Sequence, residues 1–406
     1  MSTGSGLAHR PLRDALQQRL LAAPFDPTAL GRDELRARLR GLLRDEAPLV
    51  TDVAAAVVLD ELVAEVEGLG PLQSLFADPT ITEIMVNGPN RVFVERDGAL
   101  EPVACRLDAD AIMRIAQRVI APLGLRLERA APMVDARLAD GSRLHAVLPP
   151  LAPDGPCLTI RRFAVRAVAL AEFGPGAEPV AFMDTMVRAG WNVMVAGATS
   201  AGKTTCASAL ARAIGPGERI VTIEETAELR LGHPHVVRLE ARRANAEGAG
   251  ATDVRELVRA ALRMRPDRLV VGEVRGGEAF DMLQALNTGH DGSLSTVHAN
   301  SPADALARLE TLVLLGGVAL PLAAVRAQLA SAIDVIVQVA RGAHGHREIT
   351  EVAEVHRDGD GSLRAQPLLE RHGAALRAVH RPTRRARRNG FDLEEAWARC
   401  TPLPSQ

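Results

Sequence analysis

At 406 residues the chain is long enough for two substantial domains with tails. A net charge of −2 argues against broad electrostatic binding to nucleic acid, and 2% aromatic residues against 47% hydrophobic ones leave an aliphatic core without a base-stacking surface. Cys105, Cys157, Cys206 and Cys400 are scattered with no C-x-x-C pair, which excludes a disulfide framework and a zinc site and fits a reducing compartment.

Residues 1–50 are rich in Arg, Ala and Leu, broken by Pro11, Pro24 and Pro27, and read as short helices or partial disorder. No apolar core of signal-peptide type opens the chain. Asp52 to Glu67 repeats its apolar residues at helical spacing and stops at Gly68 to Pro71. ITEIMVNGPNRVFVERDGALEPV then predicts two strands around Asn87 to Asn90. Asp108 to Leu123 predicts a helix, Met133 to Pro150 a hairpin turning at Ala139 to Ser142, and Leu158 to Phe163 a further strand. Residues 51–165 are thus an α+β domain.

Alanine, glycine and proline dominate Ala164 to Pro179, so 166–180 reads as a hinge linker. Over 181–357 strands alternate with helices: Trp191 to Ala196, Thr204 to Ile214, RIVTIEE at 219–225, Asp253 to Met264, LVVGEV at 269–274, Glu278 to Leu286 and SLSTVHA at 293–299. That alternation predicts a mainly parallel sheet with helices on both faces and ligands at the carboxyl ends of the strands. The weakly polar run Thr311 to Val325 is interrupted by Gly316, Gly317 and Pro321 and is too short to span a bilayer. The expectation is a cytoplasmic protein without a transmembrane segment. Residues 358–406 read as an extension, and its basic stretch from Arg371 to Arg388 as a solvated or disordered tail, with anionic lipid or an acidic partner as the alternative.

Among the 48 basic residues, one is a lysine, Lys203, inside Gly197 to Thr205. Gly197, Ala198, Thr199, Ser200, Ala201, Gly202, Lys203, Thr204 and Thr205 satisfy the phosphate-loop pattern, with a strand before and a helix after. A compact ammonium reaches phosphate oxygens in a tight loop where a planar guanidinium does not fit. Lys203 would bridge the β- and γ-phosphates of ATP and the Thr204 hydroxyl would bind Mg²⁺. Ala198 and Ala201 add methyls where glycine would be freest, which predicts reduced nucleotide affinity. Two strand ends offer the acid that holds the metal or orients water: Glu224 with Glu225, and Glu273. His290 and His298 flank the next strand; their eight-residue spacing is not a compact metal motif, and γ-phosphate sensing suits them better.

Glu224, LRMRPD at 262–267, VGEVRGGEA at 271–279 and TGHDGSLSTVHANSP at 288–302 resemble the traffic ATPases of the type II and type IV secretion superfamily. GLGPL, TEIMVNGP, VERDG, MVDARL, DGSR and LTIRRF look like the tight-adherence (Tad) pilus assembly branch, the CpaF-like group, so the likeness spans about residues 60–355. The resemblance implies a homohexamer of two-domain subunits, each with a RecA-like P-loop motor after its α+β domain, working with an inner-membrane platform protein of a pilus or secretion system. It assigns Glu224 to the acidic box, Glu273 to an atypical second nucleotide-binding motif, and His290 and His298 to the histidine box. Glu225 stands where the family often has aspartate. Arg137, Arg143 and Arg161 in the first domain, and Arg238, Arg242, Arg263 and Arg265 in the second, are candidates to meet the phosphates. A conjugation or DNA-transfer motor, a retraction motor and a nucleotide-gated scaffold with little hydrolysis are the rival readings.

Overall fold

Leucines at helical spacing organise the start of the chain. Leu16 and Leu20 on α1 (Arg10–Leu21), Leu35, Leu39 and Leu43 on α2 (Arg32–Glu46), and Leu59 and Leu62 on α3 (Asp52–Glu67) meet in one buried cluster. The computed structural model describes residues 10–22, 32–96, 98–138, 140–162, 167–242, 244, 249–342 and 345–402. Pro24 and Pro27 lie outside them, whereas Pro11 sits in the first turn of α1, where its missing N–H costs nothing. The chain divides into two units, Met1–Phe163 and Ala164–Gln406.

Past α3 and the short α4 (Gln73–Ala77), the first unit is a six-stranded antiparallel sheet. Its order is β3 (Ala99–Val103), β2 (Val92–Arg96), β1 (Ile81–Asn87), β6 (Cys157–Arg161), β5 (Arg143–Val147), β4 (Met133–Arg137). Alternate residues of the strands, such as Ile84, Val86, Leu144, Ala146, Leu158 and Ile160, pack with Ile112, Ile115, Ala116 and Ile120 of α5 (Ala109–Ile120). Asp108 caps that helix by accepting from Ala111 N–H. The sequence reading of two strands around Asn87 to Asn90 becomes three. ALEPV forms the edge strand β3, which is exposed nearly throughout and so shows no alternation, and its Pro102 is tolerated at an edge.

In the second unit a nine-stranded sheet runs β15 (Ala375–Ala378), β14 (Leu363–His372), β13 (Arg347–Arg357), β12 (Val335–Arg341), β7 (Val193–Gly197), β11 (Leu294–His298), β10 (Arg268–Val274), β8 (Ile220–Glu224), β9 (Val236–Glu240). From β12 to β9 the pairing is parallel, and β13 to β15 extend it antiparallel. This is the α/β, RecA-like arrangement. Both faces are covered, so β7 is buried end to end: Val193 and Val195 face a cluster with α6 (Ala177–Arg188) and α7 (Lys203–Ala211), while Met194 and Ala196 face one with α8 (Val254–Ala261), α9 (Glu278–Asn287), α10 (Pro302–Leu315) and α11 (Leu322–Ala332). Of the predicted linker, residue 166 lies outside the described residues, and the part from Ala177 already belongs to α6. Among the described residues no helix is long and apolar enough to cross a membrane.

The C-terminal stretch corrects the sequence reading. It is no solvated tail: β14 and β15 complete the sheet, α12 (Leu393–Ala398) packs Leu393 into the core, and the arginines between them tie down buried acids. Fully buried Glu354 accepts from Thr383 N–H, Thr383 Oγ1–H and Arg384 N–H. Asp334, 2% exposed, takes Arg384 Nη1 and Arg387 Nε, each at 2.7 Å. Arg388 joins buried Arg268 on Glu218, and Trp191 Nε1–H donates to Arg385 O. Burial pushes the Glu218 carboxyl up, but those two guanidinium groups outweigh it and hold it below its ordinary range.

Candidate nucleotide site

Strand β7 ends at Gly197, whose bare Cα allows the close approach of β12: a Cβ there would lie 2.5 Å from Val339 O. The following loop turns through Ser200 (φ 60°) and Gly202 (φ 93°) before Lys203 opens α7. The first turn of a helix has no intrahelical acceptors for its leading N–H groups, the geometry that receives phosphate. Ala201 is 1% exposed and packs its methyl inward with Cys206 and Val339, so at this position the expected crowding of a phosphate does not arise; Ala198 lies exposed on the loop.

Lys203, 8% exposed, donates from Nζ to Ala198 O (3.1 Å) and approaches His298 Nδ1 (3.2 Å). His298 closes β11, the neighbour of β7, and its Nε2 lies 2.9 Å from Thr199 Oγ1. The same Nδ1 is 3.4 Å from Glu273 Oε1. One ring nitrogen cannot accept from Lys203 and donate to Glu273 at once, so the tautomer decides which of the two it pairs with. Glu273, at the end of β10, also accepts from Arg275 Nη2 at 2.8 Å, and Arg275 Nη1 reaches Glu225 at 2.7 Å. Burial pushes the Glu273 carboxyl up, but Arg275 and then Lys203 outweigh it and hold it ionised. A run of close contacts therefore links Glu225, Arg275, Glu273, His298, Lys203 and Thr199, with the His298 tautomer deciding whether Nδ1 pairs with Glu273 or with Lys203.

Glu224 ends β8, the next strand over, and is 3% exposed. Its Oε1 accepts from Glu228 N–H and Leu229 N–H, while Oε2 is buried with no hydrogen-bond partner among the described residues. Burial pushes its carboxyl up to about 7 against those two bonds and the charge of Arg238. It packs directly on Gly272, where a Cβ would sit 2.8 Å from Glu224 Cγ.

Other sequence candidates stand elsewhere. His290 precedes the amino end of β11, one strand length from His298, with its Nδ1 3.0 Å from Ala285 O, so within one subunit β11 holds it roughly 15 Å from the phosphate loop. Arg238 sits on edge strand β9 and donates to Ala227 O, and Arg242 lies exposed beyond that strand, its backbone paired with Thr252. Arg263 and Arg265 are exposed before the amino end of β10, opposite the end that carries Glu273. In the first unit Arg143 and Arg161 are register partners, as are Arg137 and Arg143, which sets three guanidinium groups in a row across β4, β5 and β6. Like charges directly opposite disfavour a sheet, and such a row suits an anion. Thr204 and Thr205 are half-buried in the first turn of α7. Sequence reasoning passed over Arg275, although a cation directly following a strand-end acid was visible in VGEVRGG.

The family model described as type II/IV secretion system protein matches residues 65–384. Rv3659c of Mycobacterium tuberculosis (strain ATCC 25618 / H37Rv), provisionally named a conjugal transfer protein, is 44% identical over 328 residues, 78% of this chain and 92% of its own. Protein VirB11 of Agrobacterium fabrum (strain C58 / ATCC 33970) is 32% identical over 332 residues, 74% of this chain and 95% of its own. The X-ray structure of the Legionella pneumophila ATPase DotB superposes with a TM-score of 0.51 at 18% identity, covering 71% of this chain and 80% of that one, and bears on the fold alone. The chain belongs to the type II/IV secretion system protein family.

Proposed function

We propose that the chain is a P-loop ATPase that turns ATP hydrolysis into domain motion as a homohexamer, in the cytoplasm, against an inner-membrane platform of a pilus or secretion system. The observation that carries this reading is the convergence of Lys203, Thr199, His298 and Glu273 at the carboxyl ends of adjacent strands around the phosphate loop. Lys203 would leave Ala198 O for the β- and γ-phosphates, and Glu273 and Glu224 would orient the attacking water. His298 would sense the γ-phosphate through the partner it gains or loses. Thr204 and Glu273 offer hard oxygen donors, the kind that Mg²⁺ takes beside phosphate and water. Bound there, the ion would neutralise charge on the transferred phosphoryl group. Arg143 and Arg161 are assigned to anion binding, and Arg238 to balancing Glu224; the CpaF-like branch is the preferred placement within the family.

The test is Mg²⁺-dependent phosphate release by the purified chain beside Lys203→Ala, with molecular mass recorded on the same samples. Turnover should rise as the mass approaches six times the 43.2 kDa of one chain, and should fall at least about a hundredfold in the variant. A stable hexamer that binds ATP without turnover would favour the gated scaffold instead. One observation favours a second reading within the family: the relative at 44% identity carries a conjugal transfer name. Genomic neighbours decide between the two, pilin-like and platform genes on one side and relaxase genes on the other.

A further inference from the structure

We propose that Arg275 is a γ-phosphate ligand acting within its own subunit, held ready by Glu225 and Glu273, and that it exchanges the Glu273 carboxylate for the γ-phosphate when a nucleoside triphosphate enters with its metal. The proposal rests on the ATPase reading and adds to it a residue that the motif assignments leave idle.

Three observations carry it. First, the guanidinium donates to two carboxylates on different strand ends, Nη1 to Glu225 at 2.7 Å and Nη2 to Glu273 at 2.8 Å. With Thr204, Glu273 would help to hold the metal, which would supply charge neutralisation beside the phosphates. Nη2, relieved of Glu273, would pair with an anion, and a guanidinium fork matches phosphate oxygens in pairs. Second, the Arg275 backbone is anchored independently of the guanidinium. Its N–H and that of Gly276 both donate to Glu278 Oε1, at 2.5 and 2.8 Å, while the side chain, 60% exposed, is held by its two carboxylate partners. Third, Glu273 and His298 alone stand between the guanidinium and Lys203 Nζ in a run of close contacts, which sets it at the same, carboxyl, end of the sheet as the phosphate loop. Glu225 is the tether that remains, and this gives the exposed glutamate at that position a task.

The affinities of ADP and of a non-hydrolysable ATP analogue, both with Mg²⁺, test this on the full chain and on Arg275→Ala, Arg275→Lys and Glu225→Gln. Arg275→Ala should bind ADP within about twofold of the original chain and the analogue about tenfold or more weakly, because one charged contact to the γ-phosphate is lost. Lysine should restore part of that loss, as a charge without the fork, and Glu225→Gln should fall between. Turnover in Arg275→Ala should drop by about a thousandfold. Equal weakening of both nucleotides, or of neither, overturns the proposal. If Lys203→Ala abolishes binding while Arg275→Ala is indifferent, this inference fails and the ATPase reading stands; if the original chain binds neither nucleotide, both fail.

Discussion

Glu224 shows how one side chain sets a pH dependence. Its carboxyl is buried and pushed up to about 7 from an ordinary 4.5, so between those values the folded chain holds a proton that the unfolded chain has released. Stability from this group is therefore present below about pH 4.5 and is lost as pH rises through 7. Glu351, facing Glu370 across β13 and β14, is raised to about 7 by burial and by that second carboxylate and adds a similar slope. Glu224→Gln keeps an acceptor for the Glu228 and Leu229 N–H groups and removes only the titration. The variant should match the original chain near pH 5 and exceed it by roughly 1–3 kcal/mol near pH 8 in denaturant melts; a difference that is flat with pH would refute the assignment. At this scale the sequence was most readable where chemistry restricts the residue: Lys203 was visible because no arginine replaced it. The inward packing of Ala201 was not readable, because the direction of a methyl depends on loop dihedrals, which spacing does not encode.

Elements were readable where burial is one-sided or complete. The buried runs of β7, β8, β10 and β11 and the spacing of α7, α9 and α5 announced themselves, and they carry the phosphate loop, Glu224, Glu273 and His298. The helix–strand run after β11 and edge strand β9 did not, and Arg384, Arg387 and Arg388 looked solvent-bound because their acidic partners Asp334, Asp291 and Glu218 are distant in sequence. Those pairs make the C-terminal segment part of the second unit. Asp334 is buried and shared by Arg384 and Arg387, so removing one arginine leaves it the other. Arg384→Ala and Arg387→Ala should each cost about 1–3 kcal/mol, and the double variant more than their sum, because a buried carboxylate is then unpaired. Urea titration of the four proteins in a double-mutant cycle measures the excess; strict additivity would mean the two arginines act independently of Asp334.

For the whole molecule, the charge distribution decides how it meets nucleic acid, and so bears on the conjugation reading. The sequence carries 47 arginines beside its single lysine, yet its net charge is −2. Several of those arginines are committed internally, to Asp334, Glu218, Asp281 and Glu310, and a guanidinium already paired releases no counterions from a DNA backbone. The row of Arg137, Arg143 and Arg161 is short, continues into Glu83 and Glu95 along the same register, and suits one phosphate group more than a helix. A 2% aromatic content leaves few rings for single-strand stacking. At about 150 mM salt a labelled single-stranded or duplex oligonucleotide should therefore bind no more tightly than about 100 μM, the weak end of non-specific affinity. Micromolar binding with a steep salt slope would show that exposed arginines line up across subunits, and would move the balance from a pilus or protein-export motor toward one that handles DNA itself.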